Sequence, residues 1–238
     1  MDRDRLRIDR DRSDDNIGRE MNPYLLFAFI FALLEALALW KGWIRLEYVA
    51  KPAVMIVLLL WLWTSVGISG ALLWFGVGIL FSLLGDVLLM ISLDRMFLLG
   101  LVAFLLAHIA YVIGFNIPLP VFSAWSLVFA FMVGLGGTRI IRRILEAIGN
   151  NRMRKPVIVY SLVISLMLLS AMMKLTDVTW DAGAAALVSL GAFLFYLSDI
   201  VLAWNKFVAP IQNGRIYNIG LYHLGQIALI AGVIAQFG

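Results

Sequence analysis

Cysteine is absent from all 238 residues. Disulfides, thiolate nucleophiles and cysteine-ligated metals are thereby excluded together, so any catalysis must come from oxygen and nitrogen groups. Histidine is nearly as scarce, with two, and only 14% of the residues are charged. A water-soluble domain of this size could not cover its surface with so few polar side chains. Apolar residues fill the space instead: 63% of the chain is hydrophobic and its mean hydropathy is +0.95. The solvent for most of this chain is a bilayer.

A hydrocarbon core of about 30 Å takes roughly 20 mostly apolar residues per helix. Hydrophobic stretches separated by polar or Gly/Pro breaks place eight spans, near residues 22–40, 50–67, 70–92, 96–116, 119–137, 156–173, 182–204 and 215–236. The expected fold class is therefore an all-α integral membrane protein, with eight transmembrane helices in one domain over residues 21–238. Residues 1–20 hold six arginines and seven acids with almost no apolar residue, which reads as a disordered tail. That tail lacks the apolar stretch of a signal peptide, and Met21 would open a membrane protein by itself. It is expected to be a dispensable extension or a misassigned start. The longest loop, Arg139 to Lys155, is strongly basic and is expected to carry a short amphipathic helix on the membrane surface.

The two halves of the chain echo one another. Lys51-Pro52 opens the second span and Lys155-Pro156 the sixth, while Asp86 sits late in the third and Asp199 late in the seventh. His108 and Tyr111 in the fourth span are loosely matched by Tyr222 and His223 in the eighth. The order Lys-Pro, Asp, His thus occurs twice, which fits two tandem four-helix units related by an axis along the membrane normal. Coincidence among few polar residues is the competing account.

Asp86 and Asp199 carry most of the functional signal. Each lies six or so residues before the end of its span, roughly 8–10 Å inside the interface at 1.5 Å rise per residue. A carboxyl at a helix centre costs on the order of 2.5–3.5 kcal/mol on insertion scales, so keeping two of them needs a reason. An interhelical hydrogen bond is one. The other is chemical: at similar depth and facing one cavity, the pair would supply a proton donor and a proton acceptor. His108 and His223 fit interhelical hydrogen bonds first, and otherwise the orientation of an Asp or a contact with phosphate. Tyr111, Tyr196, Ser198 and Gln226 are candidates for positioning water or a headgroup. Lys51 is expected to snorkel to the phosphate level, with headgroup contact as its second reading. Glu35 stands alone in the first span, as a structural hydrogen bond or a cavity contact. Gly76, Gly78, Ser189 and Gly191 allow close helix packing around the third and seventh spans.

Five motifs carry a resemblance: Gly85-Asp86-Val87-Leu88-Leu89-Met90, Phe97-Leu98-Leu99-Gly100, Phe104-Leu105-Leu106-Ala107-His108-Ile109-Ala110-Tyr111, Phe195-Tyr196-Leu197-Ser198-Asp199 and Tyr222-His223-Leu224-Gly225-Gln226. In their order and spacing they resemble the YhhN, or lysoplasmalogenase, family over residues 22–236, the Asp/Arg tail excepted. The resemblance implies hydrolysis of the vinyl ether of a lysoplasmalogen to a fatty aldehyde and a glycerophospho-ethanolamine or -choline. It also implies a lysophospholipid as substrate and the bilayer as partner; protonating an enol ether demands only a donor and a stabilised cation, so no cofactor is expected, and the expected location is a bacterial cell membrane. The residues suit that chemistry, because a neutral Asp can protonate the vinyl carbon while an ionised one stabilises the oxocarbenium ion.

Two other functions use the same residues. A zinc-dependent membrane hydrolase would ligate its metal with Asp86, Asp199, His108 and His223, although the histidines lack the spacing of a zinc helix. A small-solute or proton-coupled transporter would use tandem repeats with intramembrane acids, although these acids lie off the midplane. No phosphate-binding glycine loop and no nucleic-acid patch is present, and the basic loop faces anionic lipid. Outside the tail, twelve Lys and Arg fall on the side of the loops joining spans 1–2, 3–4, 5–6 and 7–8, and only Lys174 on the other. The positive-inside rule then puts both chain ends outside the cytoplasm. A C-terminal reporter active only in the cytoplasm should stay silent, and a signal from it would reverse the orientation.

Overall fold

A computed structural model describes residues 22–120 and 122–238. The Asp/Arg tail lies outside the described residues. Eight helices follow in order: α1 Pro23–Lys41, α2 Ile44–Val66, α3 Ala71–Ile91, α4 Phe97–Phe115, α5 Ala124–Ile148, α6 Arg154–Met172, α7 Ala182–Phe207 and α8 Gly214–Phe237. A 3₁₀ turn, Met173–Thr176, extends α6, and no strand occurs among the described residues. Each span has 19 to 26 residues and is apolar enough to cross a membrane. At 1.5 Å per residue they reach roughly 28–39 Å, sufficient for the hydrocarbon core. The protein is an integral multi-pass membrane protein.

Local chemistry accounts for where the helices start and turn. The Asn22 side chain accepts from the Tyr24 amide at 3.0 Å and Pro23 takes the first helical position, where its missing N–H costs nothing. Gly42, at φ 71°, ends α1 in the left-handed conformation that only glycine adopts freely, and α2 begins two residues later. Asp181 caps α7 through the Ala184 amide at 2.9 Å.

Two helices depart from the sequence-based spans. α2 starts six residues earlier than expected, because Glu47 is paired with Arg215 at 2.6 Å and the charged first turn is satisfied. Lys51 therefore lies two turns inside the helix and buried, instead of snorkelling from its end, while Lys155 stays exposed in the first turn of α6. The two Lys-Pro pairs are thus not equivalent in place. α5 runs on through Arg139, Arg142 and Arg143 to Ile148, so the basic segment is largely the end of a membrane helix and not a separate surface helix.

α8 is the most buried span and α5 the least. α8 packs along α7 with backbone nearly touching backbone: a Cβ on Gly225 would lie 2.8 Å from the Phe195 nitrogen and 2.9 Å from the Gly191 carbonyl oxygen. In α3 and α4 glycine instead receives rings, with Gly85 under Phe104 and Gly114 under Phe75. Gly78 likewise takes the Tyr111 ring, whereas Gly76 meets Ile68 and Leu59 at ordinary distance. Small residues matter here because lipid gives helices no hydrophobic reason to associate, leaving close packing to do it.

Gly225→Ala should cost about 1–3 kcal/mol through overpacking. Gly220→Ala on the same helix, where a methyl meets nothing within 4 Å, should be neutral or slightly stabilising. Thermal unfolding of both variants in detergent checks the contrast.

Candidate active site

The interior polar groups fall into separate clusters, each assembled from several helices. Asp86, from α3, is fully buried. Its Oδ1 lies 3.2 Å from Lys51 Nζ on α2, and its Oδ2 accepts from the Tyr222 hydroxyl on α8 at 2.6 Å. Asp199, from α7, accepts at Oδ2 from the Tyr160 hydroxyl on α6 at 2.5 Å, and His108 Nε2 on α4 stands 3.8 Å from the same oxygen. Each aspartate thus takes one partner from the helix preceding its own and one from the last helix of the other half. This reciprocal exchange is the relation two tandem four-helix units would have about an axis along the membrane normal.

The carboxyls do not share a cavity. Asp199 lines a narrow apolar cleft bounded by Leu101 and Phe104 of α4, Ile144 of α5, Ile164 of α6 and Tyr196 of α7. Asp86 does not reach it. Phe104, Phe195 and Tyr222 pack edge to face, with ring centroids 5.2 to 6.1 Å apart. Tyr222 bonds Asp86, and Phe195 lies 4.6 Å from the His108 ring. An aromatic wall therefore connects the two carboxyl sites and carries the Asp86 side away from the cleft.

The other candidates are distributed around these two centres. Tyr111 donates to Gln226 Oε1 at 2.8 Å, and Gln226 donates to Ser82 at 3.0 Å, entirely inside the bundle. Glu35 and His223 form a buried pair, which answers the open question about Glu35. Ser198 accepts from Asn218 at 3.2 Å and is buried away from the cleft. Tyr196 does line the cleft, and its buried hydroxyl has no hydrogen-bond partner among the described residues. His108 Nδ1 bonds the Phe104 carbonyl at 2.5 Å, and its Nε2 is likewise unpartnered. As for the four residues proposed to hold zinc, His223 is engaged by Glu35 and His108 stands by Asp199. They do not converge on one point, and among the described residues no group of three His, Asp or Glu side chains does.

Sequence reasoning missed Tyr160. It sits in an apolar stretch 39 residues before Asp199, and a tyrosine there reads as core packing. Its five residues of separation from Lys155 match neither i+3 nor i+4 and gave no polar periodicity to follow. Ser82 had a faint signal, one helical turn from Asp86 on the same face.

Where the cleft lies beside the α3–α4 loop, Phe97 and Phe207 meet edge to face at 5.5 Å, with Lys206 5.4 Å from the Phe97 ring. Lys206 also pairs with Asp94 in the α3–α4 loop. The hydrogen bond from Lys206 holds the Asp94 carboxyl below the usual aspartate range. That pair is present above the ordinary aspartate value and is lost as pH falls through the lowered one.

Comparison with known proteins gives the following. A model of the YhhN family matches residues 46–233. Lysoplasmalogenase TMEM86B of Mus musculus is 27% identical over 224 residues, covering 93% of this chain and 89% of its own. Lysoplasmalogenase TMEM86B of Rattus norvegicus is 25% identical, with 93% and 87% covered. Lysoplasmalogenase TMEM86A of Homo sapiens is 28% identical over 160 residues, with 66% and 64% covered. No solved structure matches.

Removing one partner of a buried ion pair costs about 3–5 kcal/mol, because the other charge is left uncompensated. Lys51→Met should therefore destabilise the bundle by about that much, while Lys155→Met should leave stability unchanged. Adding Asp86→Asn to Lys51→Met should recover part of the loss, since no lone charge remains. Denaturation of the four proteins in one detergent checks this.

Proposed function

Because the chain belongs to the YhhN family, we propose that it is a lysoplasmalogenase, hydrolysing the vinyl ether of a lysophospholipid within the membrane. The observation that carries this reading is Asp199, a carboxyl set in the wall of an apolar cleft and held there by Tyr160. The names of its relatives in mouse, rat and human support the same substrate class.

The chemistry proceeds from that geometry. The alkenyl chain lies in the cleft, where apolar walls exclude bulk water. Asp199, as the neutral acid, gives its proton to the alkene carbon farther from oxygen, and the π electrons form the new C–H bond. The ether oxygen donates a lone pair and the adjacent carbon becomes an oxocarbenium ion. The Asp199 carboxylate, steadied by the Tyr160 hydroxyl, stabilises that cation and takes a proton from the water that attacks it. The hemiacetal then collapses: the bond from the aldehyde carbon to the glycerol oxygen breaks, its hydroxyl proton is released, and the glycerol oxygen gains one.

Asp86 is the second member of the pair, acting from inside the bundle. With Lys51 it forms a buried ion pair and orients Tyr222, which forms part of the aromatic wall behind the cleft. It is a positioning residue in this account, while Asp199 is the catalytic one. His108, whose unpaired Nε2 stands 3.8 Å from Asp199, and Tyr196, which lines the same cleft with an unpaired hydroxyl, are the groups available to hold water or the glycerol hydroxyl.

Purified protein given a lysoplasmalogen in D₂O should release aldehyde carrying one deuterium on the carbon next to the carbonyl. Aldehyde without that deuterium would remove carbon protonation from the mechanism. Asp199→Asn should lower the rate about 10²–10⁴-fold, the usual range for general acid–base catalysis. Asp86→Asn, measured with Lys51→Met so that no charge is stranded, should lower kcat with little change in KM. Combined with Asp199→Asn it should add little, because residues acting as a unit are not additive. Near-normal aldehyde release from a folded Asp199→Asn protein would leave that carboxyl as a hydrogen bond between helices.

A further inference from the structure

A second groove runs along the outside of the cleft, between α5 and α6. It is lined by Val133, Gly134 and Thr138 on α5 and by Ile158, Leu162 and Ser165 on α6, and it opens toward lipid. Ile141 of α5 and Ser161 of α6 line both the groove and the cleft that holds Asp199. These two side chains are all that the groove and the cleft have in common. They form the partition between the bilayer and the carboxyl.

The partition is lightly built. α5 is the least buried span. Gly137 allows it to approach the Tyr196 side chain, and Gly134 and Gly136 meet nothing within 4 Å of where a Cβ would be. Beyond the partition waits the Tyr196 hydroxyl, buried and without a partner. A buried donor left unpaired is costly, so this hydroxyl is suited to a group that arrives from elsewhere.

The groove is not apolar throughout. Its end on the arginine-bearing side is lined by Arg142, Arg154 and Glu146. Arg143 lies 3.9 Å from Glu146, and Arg154 donates to the carbonyls of Leu145 at 3.0 Å and Gly149 at 3.1 Å. Arg142 has no ion-pair partner among the described residues. An apolar channel ending in an uncommitted guanidinium matches a single-chain lipid whose headgroup is an anionic phosphate, since arginine binds phosphate through two parallel donors.

We propose that lysophospholipid reaches the cleft sideways from the bilayer through this groove, with its phosphate held at Arg142 and its chain passing between Ile141 and Ser161. This rests on the lipid-hydrolase reading for its substrate class, but its test does not depend on turnover. The chain has no cysteine, so Ser161→Cys gives one labelling site at the partition, and Ser161 bonds only the Val157 carbonyl of its own helix.

In vesicles of phosphatidylcholine, a membrane-permeant maleimide should label that cysteine. Palmitoyl lysophosphatidylethanolamine, which has no vinyl ether to cleave, should slow the labelling, and monopalmitoylglycerol, which lacks the phosphate, should slow it less. Adding Arg142→Gln should raise the lysolipid concentration needed for half-protection about tenfold, the value of one charge-assisted contact. It should leave protection by monopalmitoylglycerol unchanged. Equal protection by the two lipids, or no effect of Arg142→Gln, would overturn the phosphate site. No protection by either lipid would overturn the groove as the route. Protection of Ser161→Cys by the lysolipid, together with no aldehyde release from a lysoplasmalogen by the wild-type protein, would reject the proposed reaction and leave the binding route standing.

Discussion

Polar groups inside the hydrocarbon have no water to bond, and each must find a partner on another helix or remain costly. In this bundle that requirement is met largely by α8, whose Tyr222, His223 and Gln226 reach α3, α1 and α4 respectively. The three contacts tie residues from both halves of the chain into one interior. Packing makes them possible, because Gly191 and Gly225 bring α7 and α8 together at backbone distance. Those glycines hold α8 where its polar side chains meet their partners.

The same requirement leaves the two aspartates in different surroundings. Asp86 is saturated, with a cation and a hydroxyl on its two oxygens. Asp199 has a hydroxyl on one oxygen, a histidine nearby, and a cleft in front of it. A saturated buried carboxyl is suited to holding structure, and a partly satisfied one at a cavity wall is suited to exchanging a proton with a bound molecule. Each carboxyl draws one partner from the preceding helix and one from the last helix of the other half; the neighbouring-helix partner is a lysine at Asp86 and a tyrosine at Asp199, which makes the two sites unlike.

Much of the molecule was legible in the chain. Long apolar runs with short breaks can only be membrane spans, so the number of helices and most of their ends follow from hydrophobic length alone. Asp86, Asp199, His108, His223, Gln226 and Glu35 stand out because a polar residue within such a run is expensive to keep. Two misreadings share a cause. The first turn of α2 and the last turns of α5 are charged, and charge reads as loop, whereas Glu47 meets Arg215 and the α5 arginines project from the end of a continuous helix.

By itself the sequence determined the solvent, the helical class, the eight spans and most of the acids, histidines and amides inside them, since these depend on composition and on the order of apolar and polar residues along one dimension. Tertiary structure alone decided which of those residues meet. That Asp86 pairs with Lys51, that Tyr160 and His108 stand at Asp199, and that Glu35 takes His223 depend on how helices far apart in the chain are rotated against one another. So does the wall of Phe104, Phe195 and Tyr222, which keeps one carboxyl out of the cleft. Helix rotation is set by the close fit of glycines and rings at each interface, a three-dimensional property that no periodicity within a single span records.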